Sequence, residues 1–464
     1  MHPQKYRQLV PAAAGWLLLS LLTLWYALTW TRYYANAIVA PFFRRGNWIV
    51  VLIYTVLTAL VFKVYRCMRF GYLRQTDSVC CQIIGICIVN AITYLQISAI
   101  GRGFMAMLPM LWLTAADAGT VILWTALVSR LYIRLHPPRR LIVVYGSAQA
   151  ASLVMKMSSR VDKYMICESI DCAVGMPQIA KAVSGFDGVI LCDLPPSLRD
   201  ALLSFCCGNH IRTYTVPEIP DILLRGGEEL RLFDTPLILC RNTGLSLTQQ
   251  AVKRCFDICA SVLLLVLLSP LLIVCAAAVY LEDGGAILYR QQRLTKGGKV
   301  FEMLKFRSMT PDAESDGQAV LSGVLDGRVT RVGTVLRRYR LDELPQLIHV
   351  LRGEMSLVGP RPERPVLAAV YERQYPEFAY RLQVKAGLTG YAQVFGVYDT
   401  RPIDKLKMDL LYIAQYSFLL DIRILMMTLK TVLLPASSNA AQGYPVVPAA
   451  EDTGRMHTAI AKES

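Results

Sequence analysis

The stretch KRCFDICASVLLLVLLSPLLIVCAAAVYLEDGG, residues 253–285, decides how this chain is built. Residues 258–281 carry no charge, and about 20 such residues suffice to reach across a bilayer core. Ser269 and Pro270 stand near the middle of the run. Proline removes one backbone donor and crowds the preceding turn, so the sequence predicts a kink there. A kinked apolar helix can enter and leave a membrane on one face, whereas a straight one crosses it. Lys253, Arg254 and Asp257 form a charged collar before the run, suited to an interfacial position. The expectation is a re-entrant helix over residues 253–281.

Upstream, four more apolar runs cover residues 9–30, 48–62, 78–100 and 104–128. Three have spanning length, and 48–62 is short unless its aromatic flanks are counted. The first run lacks a small-x-small cleavage site and is read as a retained span. Orientation follows from the loop charges. With the N-terminus inside, the inner side carries Lys5, Arg7, Lys63, Arg66, Arg69, Arg74, Arg130, Arg134, Arg139 and Arg140. The outer side carries only Arg32, Arg44, Arg45 and Arg102. Both ends of this unit are therefore expected in the cytoplasm. Composition agrees: 54% of the 464 residues are hydrophobic and 18% charged, which excludes a disordered chain and argues against a purely soluble one. Of the net charge of +15, most flanks apolar runs, so no nucleic-acid partner is expected. Asp117 sits alone inside the fourth run, and with no basic partner nearby it reads as a helix-packing hydrogen bond. The thirteen cysteines lie largely in apolar runs, without metal spacing, and read as reduced hydrophobic residues.

After Pro137-Pro138 the period changes. Strand candidates at 141–145, 164–167, 188–192, 211–216 and 236–240 alternate with helical stretches, which predicts a small parallel sheet flanked by helices. The first strand ends at a single Gly146, where a dinucleotide fingerprint needs three spaced glycines. The expectation is a Rossmann-like regulatory or dimerising module.

The chemistry lies downstream of the apolar run. In QQRLTKGGKVFEMLKFRSM, residues 291–309, Lys305, Arg307 and the Gly297-Gly298 turn make a cationic, backbone-rich surface suited to phosphate oxygens. Adjacent acids Asp342 and Glu343 follow arginines at 328, 331, 337, 338 and 340. Pro345 suits a helical first turn, an anion-favouring place. Pro360-Arg361-Pro362-Glu363 holds an arginine and an acid in a chain stiffened by two prolines, and rigid placement is what bidentate phosphate recognition needs.

KRxFDxxxS, the Ser-Pro apolar run, QxRxxxxGxxFxxxKFRSM, LDELPQ, LxGxMSLVGPRPE and VKxGxTGxAQV occur in this order between residues 253 and 433. Together they resemble the bacterial sugar transferase family of monotopic phosphoglycosyl transferases, and the upstream segments resemble its long form. The chain departs from the family pattern at His349, Ala386, Tyr391 and Glu282-Asp283-Gly284-Gly285, none of which touches the acid pair. The resemblance implies transfer of a sugar 1-phosphate from a UDP-sugar, galactose or glucose, to undecaprenyl phosphate in initiating exopolysaccharide, capsule or O-antigen synthesis. It implies Asp342 as covalent nucleophile, Glu343 as its partner, and Mg²⁺ as cofactor with Asp342 and Glu343 as ligands. Arg337 and Arg361 are implied on the phosphate, with Glu363, Lys305 and Arg307 as further candidates. Lys305 and Arg307 could instead pair with carboxylates to hold the fold. A cytosolic donor requires residues 282–430 on the cytosolic side, which again favours the re-entrant helix. A catalytically silent scaffold for other polysaccharide enzymes is the alternative.

The resulting expectation is a four-span α-helical membrane bundle (1–137), an α/β Rossmann-like domain (138–248) and a mainly α catalytic domain with a re-entrant membrane helix (249–435). A disordered tail (436–464) completes it. The protein is expected as a homodimer in the bacterial inner membrane.

Overall fold

The computed structural model describes residues 9–38, 42, 44–68, 75–147, 150–232, 234–240, 244–310, 328–396 and 400–433. The tail expected over 436–464 lies outside them.

Helices α1 (Leu9–Thr29), α2 (Arg44–Val64), α3 (Gln75–Ile100) and α4 (Leu108–Leu135) form a bundle. All four are long and apolar enough to cross a membrane. The run expected to be short becomes the 21-residue α2, because the helix starts four residues before Trp48. Successive helices run in opposite directions. Gln82 at the start of α3 donates to the Cys67 carbonyl just past α2, and Trp124 of α4 reaches back to the Ala14 carbonyl of α1. The start of α1, the end of α2, the start of α3 and the end of α4 therefore share one side. At mid-bundle Asp117 is buried. Its Oδ2 lies 3.2 Å from the Tyr54 hydroxyl and accepts from Asn90 Nδ2 at 3.3 Å. Those bonds join α2, α3 and α4, as expected for a packing acid.

The middle unit alternates β1 (Arg139–Tyr145), α5 (Ala150–Ser158), β2 (Tyr164–Asp171), α6 (Met176–Val183), β3 (Gly188–Cys192), α7 (Pro196–Gly208) and β4 (Arg212–Thr215). The four strands make one parallel sheet in the order β2-β1-β3-β4. Ile142, Val144, Val189 and Leu191 pack under α6 and α7. In such sheets ligands bind where the strand order reverses, here beyond β1 and β3. There the described ends of the two loops meet. Gly146 N donates to the Cys192 carbonyl, and a Cβ on Gly146 would lie 2.1 Å from the Asp193 carbonyl oxygen. The glycine lets the ends of β1 and β3 approach closely. The fifth expected strand is not in this sheet. It is β6 (Thr235–Leu239), antiparallel to β5 (Glu228–Leu232) in a separate hairpin after α8 (Ile219–Arg225).

The third unit starts at α9 (Leu247–Asp283), capped by reciprocal Ser246–Gln249 bonds. The helix runs through Pro270. Proline leaves the Val266 carbonyl without its amide partner, and the Ser269 hydroxyl takes that place at 2.8 Å. Next come the hairpin β7 (Leu288–Leu294) and β8 (Val300–Phe306), then α10 (Arg331–Arg338) and a 3₁₀ segment (Leu341–Gln346) leading into α11 (Leu347–Arg352). The rest is β9 (Ser356–Val358), α12 (Pro365–Gln374), a second 3₁₀ segment (Pro376–Gln383), β10 (Gly387–Thr389) paired with β9, α13 (Tyr391–Phe395), α14 (Pro402–Ala414) and α15 (Phe418–Leu433).

Both halves of α9 lie against this one unit. Phe256, Ala260 and Leu264 join the core containing Phe301 and Met303 of β8, and Leu272, Cys275 and Val279 join the one containing Phe306 of the same strand. Val262, Leu263, Val266, Leu267, Ile273 and Val274 remain exposed. The expected charged collar is an internal latch instead. Lys253 is buried 2.6 Å from Asp421 of α15, and Asp257 accepts from Leu357 N of β9. Burial favours pairing, because an isolated charge in the core costs several kcal/mol. Helix α15 also docks on the bundle: Tyr65 donates to the Met426 carbonyl, Arg423 to the Val64 carbonyl, and Lys430 pairs with Asp77. These contacts are all at the α2–α3 side.

Candidate active site

The acid pair sits where α10 turns into α11. Arg340, just before it, adopts φ +54°, an uncommon and strained conformation for a residue with a side chain. The next residues form a 3₁₀ turn, with Pro345 fitting its later part, so that Asp342 and Glu343 face strand β8. Gly333 brings α10 close. A Cβ there would stand 2.2 Å from the Ser308 carbonyl oxygen, and the approach lets Arg337 Nε donate to Ser308 Oγ at 2.9 Å.

The two acids are held differently. Among the described residues no hydrogen bond reaches the Asp342 carboxylate, which is buried. Burial, reinforced by the charge of Glu343, pushes it up to about 6 against the pull of Lys305, Arg337 and Arg361. Glu343 Oε1 accepts from Arg361 Nη2 at 3.0 Å and from Lys305 Nζ at 3.4 Å. Burial alone would raise this carboxyl too, but Arg361, Lys305 and Arg340 outweigh it and hold it at about 2. The Lys305 ammonium is itself lowered by burial, against the pull of Glu343. One carboxylate is thus a fixed anion held by two cations, and its neighbour is a carboxylate with no hydrogen-bond partner among the described residues. Gln346, buried in the same turn, leaves its Nε2 donor without a partner among the described residues.

The loop carrying Arg361 is clamped from behind. Arg381, 5% exposed, donates through Nη2 to the Arg361 carbonyl at 2.8 Å and to Asp409 at 2.7 Å. Arg293 Nη1 reaches the Pro362 carbonyl at 3.0 Å, and Gly387 N the Pro360 carbonyl at 2.9 Å. Burial raises Asp409 to about 6 and lowers Arg293 to about 10. The Arg361 side chain is left 42% exposed, a rigidly based guanidinium facing outward.

Asp342, Glu343, Lys305, Arg337 and Arg361 therefore come together. Two expected residues do not. Arg307 pairs with Asp283 at the end of α9, and Glu363 pairs with Arg381 at 3.5 Å. Arg307 lies beyond the end of β8, and Glu363 serves the clamp. Ser269 and Pro270 belong to α9 and not to this centre. Arg293, Arg381 and Asp409 were not singled out from the sequence. Asp409 carried a readable signal, an acid on the buried stripe Leu406–Leu410 of α14; Arg293 is the arginine of the QxRxxxxGxxFxxxKFRSM motif, and Arg381 carried no signal. All thirteen cysteines are free, and no group of three or more metal-binding side chains occurs among the described residues.

Such a centre can bring a carboxylate to an electrophilic phosphorus while two cations meet the phosphate oxygens. A family model described as bacterial sugar transferase matches residues 248–435. The chain is 42% identical over 240 residues to a UDP-N-acetylgalactosamine-undecaprenyl-phosphate N-acetylgalactosaminephosphotransferase of Aeromonas hydrophila, covering 50% of this chain and 55% of that protein. It is 32% identical over 357 residues to an undecaprenyl-phosphate glucose phosphotransferase of Komagataeibacter xylinus, covering 71% of this chain and 66% of that protein. It therefore spans less than two thirds of the length of either. To a UDP-glucose:undecaprenyl-phosphate glucose-1-phosphate transferase of Caulobacter vibrioides it is 42% identical over 187 residues, 39% of this chain and 69% of that protein.

Proposed function

The chain belongs to the bacterial sugar transferase family, and from that premise we propose that it transfers a sugar 1-phosphate from a UDP-sugar to undecaprenyl phosphate. The observation that carries the mechanism is the contrast between the two acids: Glu343 locked by Arg361 and Lys305, Asp342 buried and unengaged. Asp342 attacks the β-phosphorus of the donor. An Asp342–phosphorus bond forms, the bond from that phosphorus to the bridging oxygen breaks, and UMP leaves. A phosphate oxygen of the lipid then attacks the same phosphorus, the carboxylate departs, and undecaprenyl diphosphate sugar is released. Covalent catalysis divides one difficult transfer into two, so donor and lipid need not bind together.

Arg361, Lys305 and Arg337 neutralise the diphosphate as the carboxylate approaches. Mg²⁺, when bound, supplies further charge neutralisation. Asp342 and the Glu343 oxygen not engaged by Arg361 and Lys305 would hold it, and such hard oxygen donors suit that ion. Glucose or galactose is the proposed sugar, with N-acetylgalactosamine the first competitor, given the relatives' names. Measuring UMP release across a panel of UDP-sugars with undecaprenyl phosphate tests the reading. No release with any donor would leave the silent scaffold standing.

The reaction carries a pH signature. Attack needs ionised Asp342, whose carboxyl lies at about 6, while Glu343 at about 2 stays charged throughout. Formation of the covalent adduct should rise between pH 5 and 7 with a midpoint near about 6, approaching tenfold per unit on the acid side. Quenched-flow measurement without acceptor checks this, and a flat profile over that range contradicts it.

We further propose that α9 is embedded in the inner membrane without crossing it, leaving the third unit cytosolic. Both halves of α9 pack on one unit, and α15 docks on the bundle at the basic α2–α3 side. Exposed Lys299→Cys, in the β7–β8 turn, should resist a membrane-impermeant maleimide in intact cells and react after lysis. Labelling from outside would overturn the topology. Self-association through the middle unit completes the proposal; exposed Leu230, Leu237 and Ile238 on the β5–β6 hairpin support it.

A further inference from the structure

Helix α10 has three differently used faces, set by its 3.6-residue period. Val332 and Leu336 pack on Leu272, Cys275 and Ala276 of α9. Gly333 and Arg337 face Ser308 and the acid pair. The remaining face shows Arg331, Val335 and Arg338, all exposed. Following the wheel from the acid pair outward gives Arg337, then exposed Thr334, then Arg338 and Arg331, three cations interrupted by one small polar side chain. Beyond it Val335 adjoins Val332, on the side of α9. There α9 itself shows exposed Leu271, Ile273 and Val274.

Helix stability does not account for these charges. Cations near a helix C-terminus suit its dipole, which covers Arg337 and Arg338. Arg331 stands in the first turn, where the dipole opposes it, and it has no ion-pair or hydrogen-bond partner among the described residues. The outer face of the helix holds no acid, and Arg338 has no ion pair among the described residues, its guanidinium standing 5.8 Å from the ring of Tyr339. A cationic track that begins at Asp342 and ends beside lipid-facing apolar side chains fits a molecule with a phosphate head and a hydrocarbon body.

We propose that the outer face of α10, through Arg331 and Arg338 with Val335 as its apolar flank, receives the phosphate head of the polyprenyl acceptor and delivers it toward Arg337 and Asp342. The inference rests on the reaction proposed above and adds the acceptor's side of it. The water-soluble donor has no need of a lipid-side approach. The acceptor is charged at one end and apolar elsewhere, and it needs both parts of this face.

The two half-reactions make the idea testable on the whole chain in nanodiscs. The variant carries Arg331→Ala and Arg338→Ala, and the probe is undecaprenyl phosphate. Loss of two charge-assisted phosphate contacts should raise the acceptor KM about tenfold or more. Adduct formation from UDP-sugar alone should change by less than about twofold, since the donor contacts lie elsewhere. Lysine at both positions should restore part of the affinity, a charge without the paired donors. An unchanged acceptor KM overturns the proposal. So does an equal fall in adduct formation, which would mean a donor or folding role. A defect seen only in anionic bilayers and lost in zwitterionic ones would reassign the arginines to the bilayer surface. If the wild-type chain itself forms neither adduct nor lipid product, the reaction fails, and this site with it.

Discussion

Asp342→Asn is expected to abolish turnover and at the same time to make the folded protein more stable. The amide is nearly isosteric with the acid, so the 3₁₀ turn persists, but it is a far weaker nucleophile. Removing a covalent nucleophile can cost on the order of 10⁶-fold in rate. The stability gain follows from linkage. The Asp342 carboxyl is raised from its ordinary range to about 6, so the folded chain binds that proton more tightly than the unfolded one. Stability from this group is therefore greatest below about pH 4 and is lost as pH rises toward 6. At neutral pH the ionised carboxylate costs roughly 1–3 kcal/mol, which a neutral amide avoids. A residue kept for its charge against its own stability is one kept for chemistry. Mass spectrometry after quenching with UDP-sugar alone should find the adduct on the Asp342 peptide of the wild type and none in the variant. Thermal unfolding in one detergent should place the variant higher. A variant that turns over near normally would sink the covalent mechanism.

Arg361→Ala comes second, with an expected loss of about 10²–10³ in kcat, the usual cost of removing one preorganised donor to developing charge. Two effects combine. The phosphate loses a guanidinium whose base is fixed by Arg381 and Arg293. Glu343 loses the largest of the pulls that keep it ionised, so its carboxyl must rise. Arg361→Lys should keep most of the charge effect on Glu343 and little of the paired hydrogen bonding. The alanine variant should therefore add a new limb to the acid side of the pH profile, which the lysine variant lacks. If alanine changes only the KM for donor and leaves kcat intact, Arg361 contributes uniform binding and not transition-state stabilisation.

The acid pair and Arg337 were legible through the family resemblance, since adjacent acids in a basic stretch alone read equally as salt bridges, while Arg361 was marked also by the two prolines around it. What periodicity could not supply was the partner of each charge. Lys305 and Arg307 are two residues apart, yet one meets Glu343 and the other Asp283, because the strand ends between them. Lys253 and Asp257 read as a solvated collar, since charges beside an apolar run usually are. Their burial depends on Asp421 and Leu357, more than a hundred residues away in one case and a hundred in the other. The four long apolar helices and the parallel sheet followed from local pattern. The hairpin β5–β6 did not, because its strands pair only with each other and give no long apolar run.

The Lys253–Asp421 latch also sets a clock on biosynthesis. The lysine stands at the start of the most apolar helix, and its counter-charge is 168 residues further along the chain. At ~5–20 residues per second, translation leaves that ammonium unpaired for roughly ten to thirty seconds after α9 emerges. During that interval the ammonium depends on water for its solvation. When α15 arrives it pairs with Lys253, meets β10 through Thr428 and Thr389, and reaches α2 and α3 through the Met426 carbonyl and Lys430. A helix late in the chain thereby supplies the counter-charge on which the start of a much earlier one depends.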